Sequence, residues 1–314
     1  MMKYYLGIDT SCYTTSVAVL DQYGNLTADC RKLLTVKLGG RGLSQSEMVF
    51  QHTRNLPGLL EQAFSKLPAA YQISRIGVSA QPRPATDSYM PAFLVGYGYA
   101  RALGAALKSA VYPTSHQENH IYAGLWSAAG PLGDDFLALH LSGGTTEVVQ
   151  VCNNNTKPQI TLLGGSSDLH AGQFVDRIGV SLGLPFPAGP HLEKLAHSGR
   201  GQAITLPVAV AGLEVSFSGP ESHAQRLIAK GAEGAAIAAG VEQCIADSIV
   251  QLIGQAVAVT HLQQVLIVGG VTANLFLRHY VQEQLCKKQI QLYIPQPAYS
   301  SDNAVGAAYF AWQQ

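Results

Sequence analysis

The chain is predicted to be an α/β protein of two similar lobes, each a mixed sheet covered by helices, and three observations support this. It has 314 residues, 47% hydrophobic and 13% charged, which suits two lobes of about 150 residues each. KYYLGIDTSCYTTSVAVLD near the start and FLALHLSGGTTEVVQVC in the middle follow one plan: apolar strand, small polar turn, second strand. Strand and helix periodicities then alternate in each half.

The elements follow in order. In the repeat, Thr14, Thr15, Val17 and Val19 answer to Thr145, Thr146, Val148 and Val149 or Val151, and turns QYGN at 22–25 and NNNTKP at 153–158 lead each copy to a third strand. Helical spacing marks SQSEMVFQHTRNLPGLLEQAF, PAFLVGYGYARALGAALKS and GAAIAAGVEQCIADSIVQLIGQAV, while RIGVSA and QVLIVGG are short buried strands. After QVLIVGG a helix is expected to start near Thr272. YSSDNAVGAAYFAW reads as a terminal helix with Asp302 at its start and Ser300 or Ser301 as cap.

Composition narrows the function. Twenty basic and twenty acidic side chains cancel, so no overall positive field points to nucleic acid, and any such binding is local or shared with a partner. Cys12, Cys30, Cys152, Cys244 and Cys286 are scattered with no C-x-x-C, which disfavours a disulfide framework or a cysteine zinc site and fits a reducing compartment. The first apolar run is short and broken by Asp9, unlike a signal peptide. The longest alanine-rich stretch carries Glu242 and Asp247, so no membrane span is expected there and a cytoplasmic location is.

Four segments carry chemistry. In SHQENHIYAG, His116 and His120 are four apart, so on a helix both imidazoles reach one ion. Gln117 stands where a zinc protease has its general base, which argues against proteolysis. Glu118 is expected to be a solvated helix residue, and Asp302 is the candidate third ligand. The loops IDTS and LSGGTT offer backbone N–H groups that hold phosphates without lysine. QVLIVGGVTANLFLR brings backbone at Gly269-Gly270 close to a flat ligand, with Asn274 able to hydrogen-bond it, and it lacks the dinucleotide spacing.

GIDTSCYTTSVAV, HQENH, LSGGTTEVV, AGQFVDRIGVSLGLPFPAGP, VSFSGP, GGVTANLFLR and SSDNA together resemble, in order and rough spacing from Gly7 to Ala307, the TsaD family of tRNA adenosine threonylcarbamoyltransferases. The resemblance implies a two-lobed actin-like fold shared with sugar kinases and heat-shock ATPases. Its expected boundaries are 1–132, 133–296, and 297–314 as a terminal helix returning to the first lobe. It implies transfer of a threonylcarbamoyl group from its adenylate to N6 of a tRNA adenosine beside the anticodon. One iron or zinc ion would be held by His116, His120 and Asp302. Asp9, where the family has a glutamate, is the implied catalytic residue. His140, Leu141, Ser142, Gly143, Gly144, Asp176, Gly189 and Asn274 match its contacts to an adenine nucleotide, either the adenylate or ATP. An actin-like paralogue subunit and a small ATPase are the implied partners.

The departures are equally specific. Tyr13-Thr14 replaces an acidic pair, Thr145 a histidine, Leu169 and Gln173 acids, Glu221 a lysine, and QPRPATDSYMP a glycine-rich segment. These losses keep two alternatives open: carbamoyl transfer to a small molecule, or a non-catalytic nucleotide-binding scaffold.

Overall fold

The structure, a computed structural model, describes residues 2–36, 43–131, 133–152 and 158–314. The expected turn at 153–158 lies outside them except for Pro158. The chain forms two compact units, residues 1–129 with 302–314, and residues 130–301.

The first unit opens with β1 (Met2–Asp9), β2 (Thr14–Asp21) and β3 (Leu26–Leu33), an antiparallel meander. Then come α1 (Gln45–Phe64), β4 (Tyr71–Gln81), α2 (Pro91–Leu107), β5 (Ala110–Ser115) and α3 (His116–Ala128). β4 pairs parallel with both β1 and β5, giving the order β3-β2-β1-β4-β5. Ile8, Val17, Val19, Ile76 and Val78 are wholly buried, because helices cover this sheet and its strands read as near-continuous apolar runs.

The second unit repeats that plan. Its elements are β6 (Asp135–Leu141), β7 (Thr146–Cys152), β8 (Gln159–Ser166), α4 (Ala171–Ser181), α5 (Gly189–Gly199), β9 (Val210–Ala211), β10 (Glu214–Val215), α6 (Ser218–Ala229), α7 (Gly234–Thr260), β11 (Gln264–Val268), α8 (Leu275–Lys287), β12 (Gln291–Tyr293) and α9 (Pro297–Ser300). The sheet runs β12-β11-β6-β7-β8-β10-β9. Its part β8-β7-β6-β11-β12 has the order of the first sheet, with β10 and β9 added at one edge. The sequence repeat is therefore a repeat of topology. α7 has the length and hydropathy of a membrane span, but 83% of its most apolar stretch is buried within the structure, where it serves as a core helix.

Parallel pairing sets where the loops emerge. β1, β4 and β5 release Asp9, Gln81 and Ser115 along one edge. In the second sheet Val268 stands beside His140, so the loops after β6 and β11 leave side by side. Ligands of open α/β sheets bind at such carboxyl ends.

The terminal helix α10 (Val305–Gln313) returns to the first unit and lies on β1, β4 and α3 at backbone distance. A Cβ at Gly77 would sit 1.9 Å from Ala307 O, one at Gly7 2.1 Å from Ala304 O, and one at Gly306 1.9 Å from Asn119 O. Two expected helix starts move. α10 begins at Val305 rather than Asp302, because Asn303 Oδ1 accepts the Val305 N–H at 2.9 Å, while Ser300 ends α9. α8 begins at Leu275, because Gly270–Ala273 forms a 3-10 turn and Asn274 is the N-cap.

The close packing predicts a contrast. Gly77→Ala must push α10 away from the sheet and should cost about 3 kcal/mol in urea unfolding. Gly98→Ala, in α2 with nothing within 4 Å of the new Cβ, should gain about 0.5–1 kcal/mol. Equal effects at the two positions would show that α10 is not seated so closely.

Candidate metal centre and substrate loops

α3 starts with a capping box. Ser115 Oγ accepts the Glu118 N–H at 3.1 Å, and Glu118 Oε2 accepts the Ser115 N–H at 2.7 Å and the Thr114 hydroxyl at 3.2 Å. Glu118 is thus buried, not solvated as expected: its carboxylate satisfies donors at the first turn. This cap fixes His116 as the first helical residue and puts His120 one turn on.

The two imidazoles and Asp302 converge. His116 Nε2 and His120 Nε2 are 3.1 Å apart, and Asp302 Oδ1 lies 3.5 Å from the first and 3.4 Å from the second. Ligands held about 2.0–2.1 Å from one tetrahedral ion are about 3.3–3.4 Å apart. The three donors fit a single ion without rearrangement, as a two-histidine, one-carboxylate face. Cys12 Sγ stands 4.0 Å from His116 Nε2.

Asp9 lies behind His116. It is fully buried, with Oδ2 3.5 Å from His116 Nδ1. The same oxygen accepts from Ser11 Oγ at 3.0 Å and Asn119 Nδ2 at 3.3 Å. A carboxylate behind a ligating imidazole sets its tautomer and direction. Asn119 also donates to Asn303 O at 2.7 Å and accepts the Ala307 N–H at 2.7 Å, tying α3 to the segment that carries Asp302. His52, wholly buried, pins the loop before β2 through Cys12 O at 3.2 Å and Thr15 Oγ1 at 2.8 Å.

Protonation follows from this crowding. Burial alone would lower His116, but the charge of Asp9, the neighbouring Cys12 sulfur and the hydrogen-bond contacts to Asp302 and Asp9 outweigh it and hold it well above the ordinary value. Burial, then the charge on His116, pushes His120 down. Burial would raise Asp302, but the two histidines hold it well below the carboxylate range. The two ring nitrogens that face each other at 3.1 Å are therefore opposite in basicity, and a metal bound there would compete with protons for them.

In the second unit, His140 and Leu141 lie inside β6 and are buried, with the His140 ring against Gly269, where a Cβ would sit 2.8 Å from its Cδ2. Ser142, Gly143, Gly144 and Thr145 form the loop after β6, closed by Ser142 N–H to Thr145 O at 2.8 Å. It rests on the start of α4: Gly172 N–H donates to Ser142 O at 3.1 Å, and a Cβ on Gly172 would meet Gly143 N at 2.6 Å. Asp176, on α4, accepts the Ala188 N–H through Oδ1 at 2.7 Å, and burial raises its carboxyl. That bond brings Gly189, the first residue of α5, beside Asp176. The turn at 270–273 contacts both β6 and α4.

Asn274 is already committed. Its Oδ1 caps α8 at Leu277 N–H, 2.9 Å, and its Nδ2 donates to Glu242 Oε1 at 2.5 Å. Glu242, buried on α7, also pairs with Arg200 at 2.9 Å, and Arg200 lies over the Phe276 ring at 3.9 Å. Glu242 and Arg200 were not expected from sequence, since neither stands in a motif.

The replaced positions have structural partners. Tyr13 packs beside Leu34, Met48 and Ala92. Thr14 is buried in β2. Leu169 joins the core, and Gln173 Oε1 accepts the His170 N–H at 3.3 Å.

Comparison with known proteins decides the family. The model of "TsaD: tRNA N6-adenosine threonylcarbamoyltransferase" matches residues 42–309. The chain belongs to this family. It is 31% identical to a tRNA N6-adenosine threonylcarbamoyltransferase of Thermus thermophilus, over 98% of this chain and 92% of the relative. It is also 31% identical to that of Aromatoleum aromaticum, over 97% and 89%. The TsaD-family chain shares its fold with T. kodakarensis HypF, at TM-score 0.64, 13% identity, 99% of this chain and 47% of that one. It also matches a ROK family glucokinase from Streptomyces griseus at TM-score 0.57, 12% identity, 99% and 100%. These likenesses show the actin-like, sugar-kinase fold expected from the motifs. The family is one of transferases, and the H-E-x-x-H arrangement of a protease is absent from the sequence.

Glu242 gives a pH prediction. Burial pushes its carboxyl from 4.5 up to about 6, with Asn274 and Arg200 pulling back. A raised folded value favours folding below about pH 4.5, and that contribution is lost as pH rises through about 6. Relative to the native chain, Glu242→Gln should gain on the order of 2 kcal/mol between those limits. Urea titrations across that range check it, and a constant difference would show that Glu242 does not titrate there.

Proposed function

We propose that the chain transfers a threonylcarbamoyl group from its adenylate to N6 of a tRNA adenosine beside the anticodon, using one iron or zinc ion held by His116, His120 and Asp302. The observation that carries this is the convergence of those three donors within 3.5 Å in a chain of the TsaD family. When bound, the ion would supply Lewis acidity toward phosphate and carbonyl oxygens. Asp9, being buried, acts by orienting His116 rather than by touching substrate. In the Ser142–Gly144 loop the Ser142 and Gly144 N–H groups are taken by Thr145 O and Ser142 Oγ, so the Gly143 N–H is the one that meets anionic oxygens. Asp176 accepts the ribose hydroxyls, with Gly189 leaving room beside it. Asn274 meets the adenine only at the edge left by its bonds to Leu277 and Glu242. The carbamoyl group arrives activated, so the chain's remaining task is to bring the amine to it.

One observation favours a second reading, a nucleotide-binding scaffold. Tyr13 occupies an apolar cluster where the family carries an acid, so a group that could take the proton of the attacking amine is gone.

The proposed setting is the cytoplasm, with an actin-like paralogue and a small ATPase as partners. Purified chain should carry one iron or zinc by elemental analysis, and His116→Ala should lower retention at least about tenfold. Incorporation of labelled threonine into tRNA, with the adenylate and partners supplied, should be present but about 10²–10⁴-fold slower than for a member with both acids. His116→Ala should abolish it. Tyr13→Asp with Thr14→Glu should restore part of the rate at a cost in stability. No incorporation by either metal-loaded protein would favour the scaffold.

A further inference from the structure

We infer that Cys12 is a further ligand of the metal centre, supplying a thiolate to the edge formed by His116 and Asp302. The inference rests on the metal reading above and extends it to the donor set and the ion. Cys12, His116 and Asp302 each offer a donor atom within 4.8 Å of the others. Two triads thus share one edge, with His120 completing the first and Cys12 the second. The sulfur stands 4.0 Å from His116 Nε2. With metal–sulfur and metal–nitrogen distances of about 2.3 and 2.0–2.1 Å, that separation corresponds to a wide angle at a common ion, which a small rotation of the cysteine side chain relaxes.

The backbone that carries the sulfur is held in place. His52 fixes the carbonyl of the same residue at 3.2 Å, and Ser11 anchors the preceding turn to Asp9 at 3.0 Å. The other four cysteines are absent from this donor group, so Cys12 has no nearby thiol with which to form a disulfide among the described groups. Binding loses one proton from sulfur to solvent and forms one metal–sulfur bond, with no change of oxidation state. A set of two imidazoles, a carboxylate and a thiolate is softer than one lacking sulfur and selects zinc over manganese or magnesium.

Cobalt(II) reports the ligand directly. Full-length chain stripped with a chelator and reloaded with one equivalent of cobalt(II) should show a near-ultraviolet sulfur-to-cobalt charge-transfer band. Cys12→Ser and Cys12→Ala should still bind one cobalt, lose that band, and bind zinc at least about tenfold more weakly. Persistence of the band in both variants would assign it to another cysteine and overturn the inference. One bound cobalt with no sulfur band in the native chain would overturn it too while leaving the His116–His120–Asp302 site standing. Failure to bind cobalt or zinc at all would remove the metal reading and this inference together.

Discussion

The side-chain amide of Asn119 joins the three segments on which the candidate centre depends. From α3 it donates to Asp9 at the end of β1 and to Asn303 O, and it accepts from Ala307 N–H on α10. Asn119 is wholly buried, so each of these bonds forms where water cannot substitute and where leaving a partner unmet costs about 1–3 kcal/mol. The glycines beneath α10 serve the same end. Gly7, Gly77 and Gly306 let the helix approach to backbone contact, and only at that range does the chain from residue 302 reach the face of α3 that carries both histidines.

With that geometry fixed, electrostatics favours a positive group at the candidate centre. Two imidazole nitrogens 3.1 Å apart cannot both present lone pairs without something positive between them. Asp9 and Asp302 provide two negative charges on either side of the pair. A divalent ion there would meet both ring nitrogens and Asp302 Oδ1 at once. Asp9, sealed from solvent, lies 3.5 Å behind the His116 ring, where a carboxylate would orient an imidazole that ligates an ion.

Much of this could be read from the sequence. The strand-turn-strand repeat foretold the duplicated sheet order because β pairing with both faces covered leaves long apolar runs. The spacing of His116 and His120 foretold their common face because helical geometry is local. What could not be read were contacts set by tertiary packing. Asn119 stood in plain view inside HQENH, yet its partners lie 110 and 184 residues away. Glu118 reads from sequence as solvated because a helical glutamate usually is, and only its position three residues after Ser115 hints at the capping box it forms. Asn274 follows the same logic: an asparagine after Gly-Gly suits a ligand or a helix cap equally, and the Leu277 N–H and Glu242 together claim most of it.

The loss of the acidic pair then has a physical meaning. A carboxylate at position 13 would sit against Leu34, Met48 and Ala92, where desolvation penalises charge, so the loop has been rebuilt around an aromatic ring rather than merely stripped. The donors His116, His120 and Asp302 are untouched by this rebuilding, because they hang on α3 and on the segment leading into α10, not on the loop at 10–13. The histidine–aspartate donors and the loop at 10–13 therefore stand on separate supports: the first are anchored through Asn119 and the glycines under α10, the second through His52 and the apolar cluster beside Tyr13.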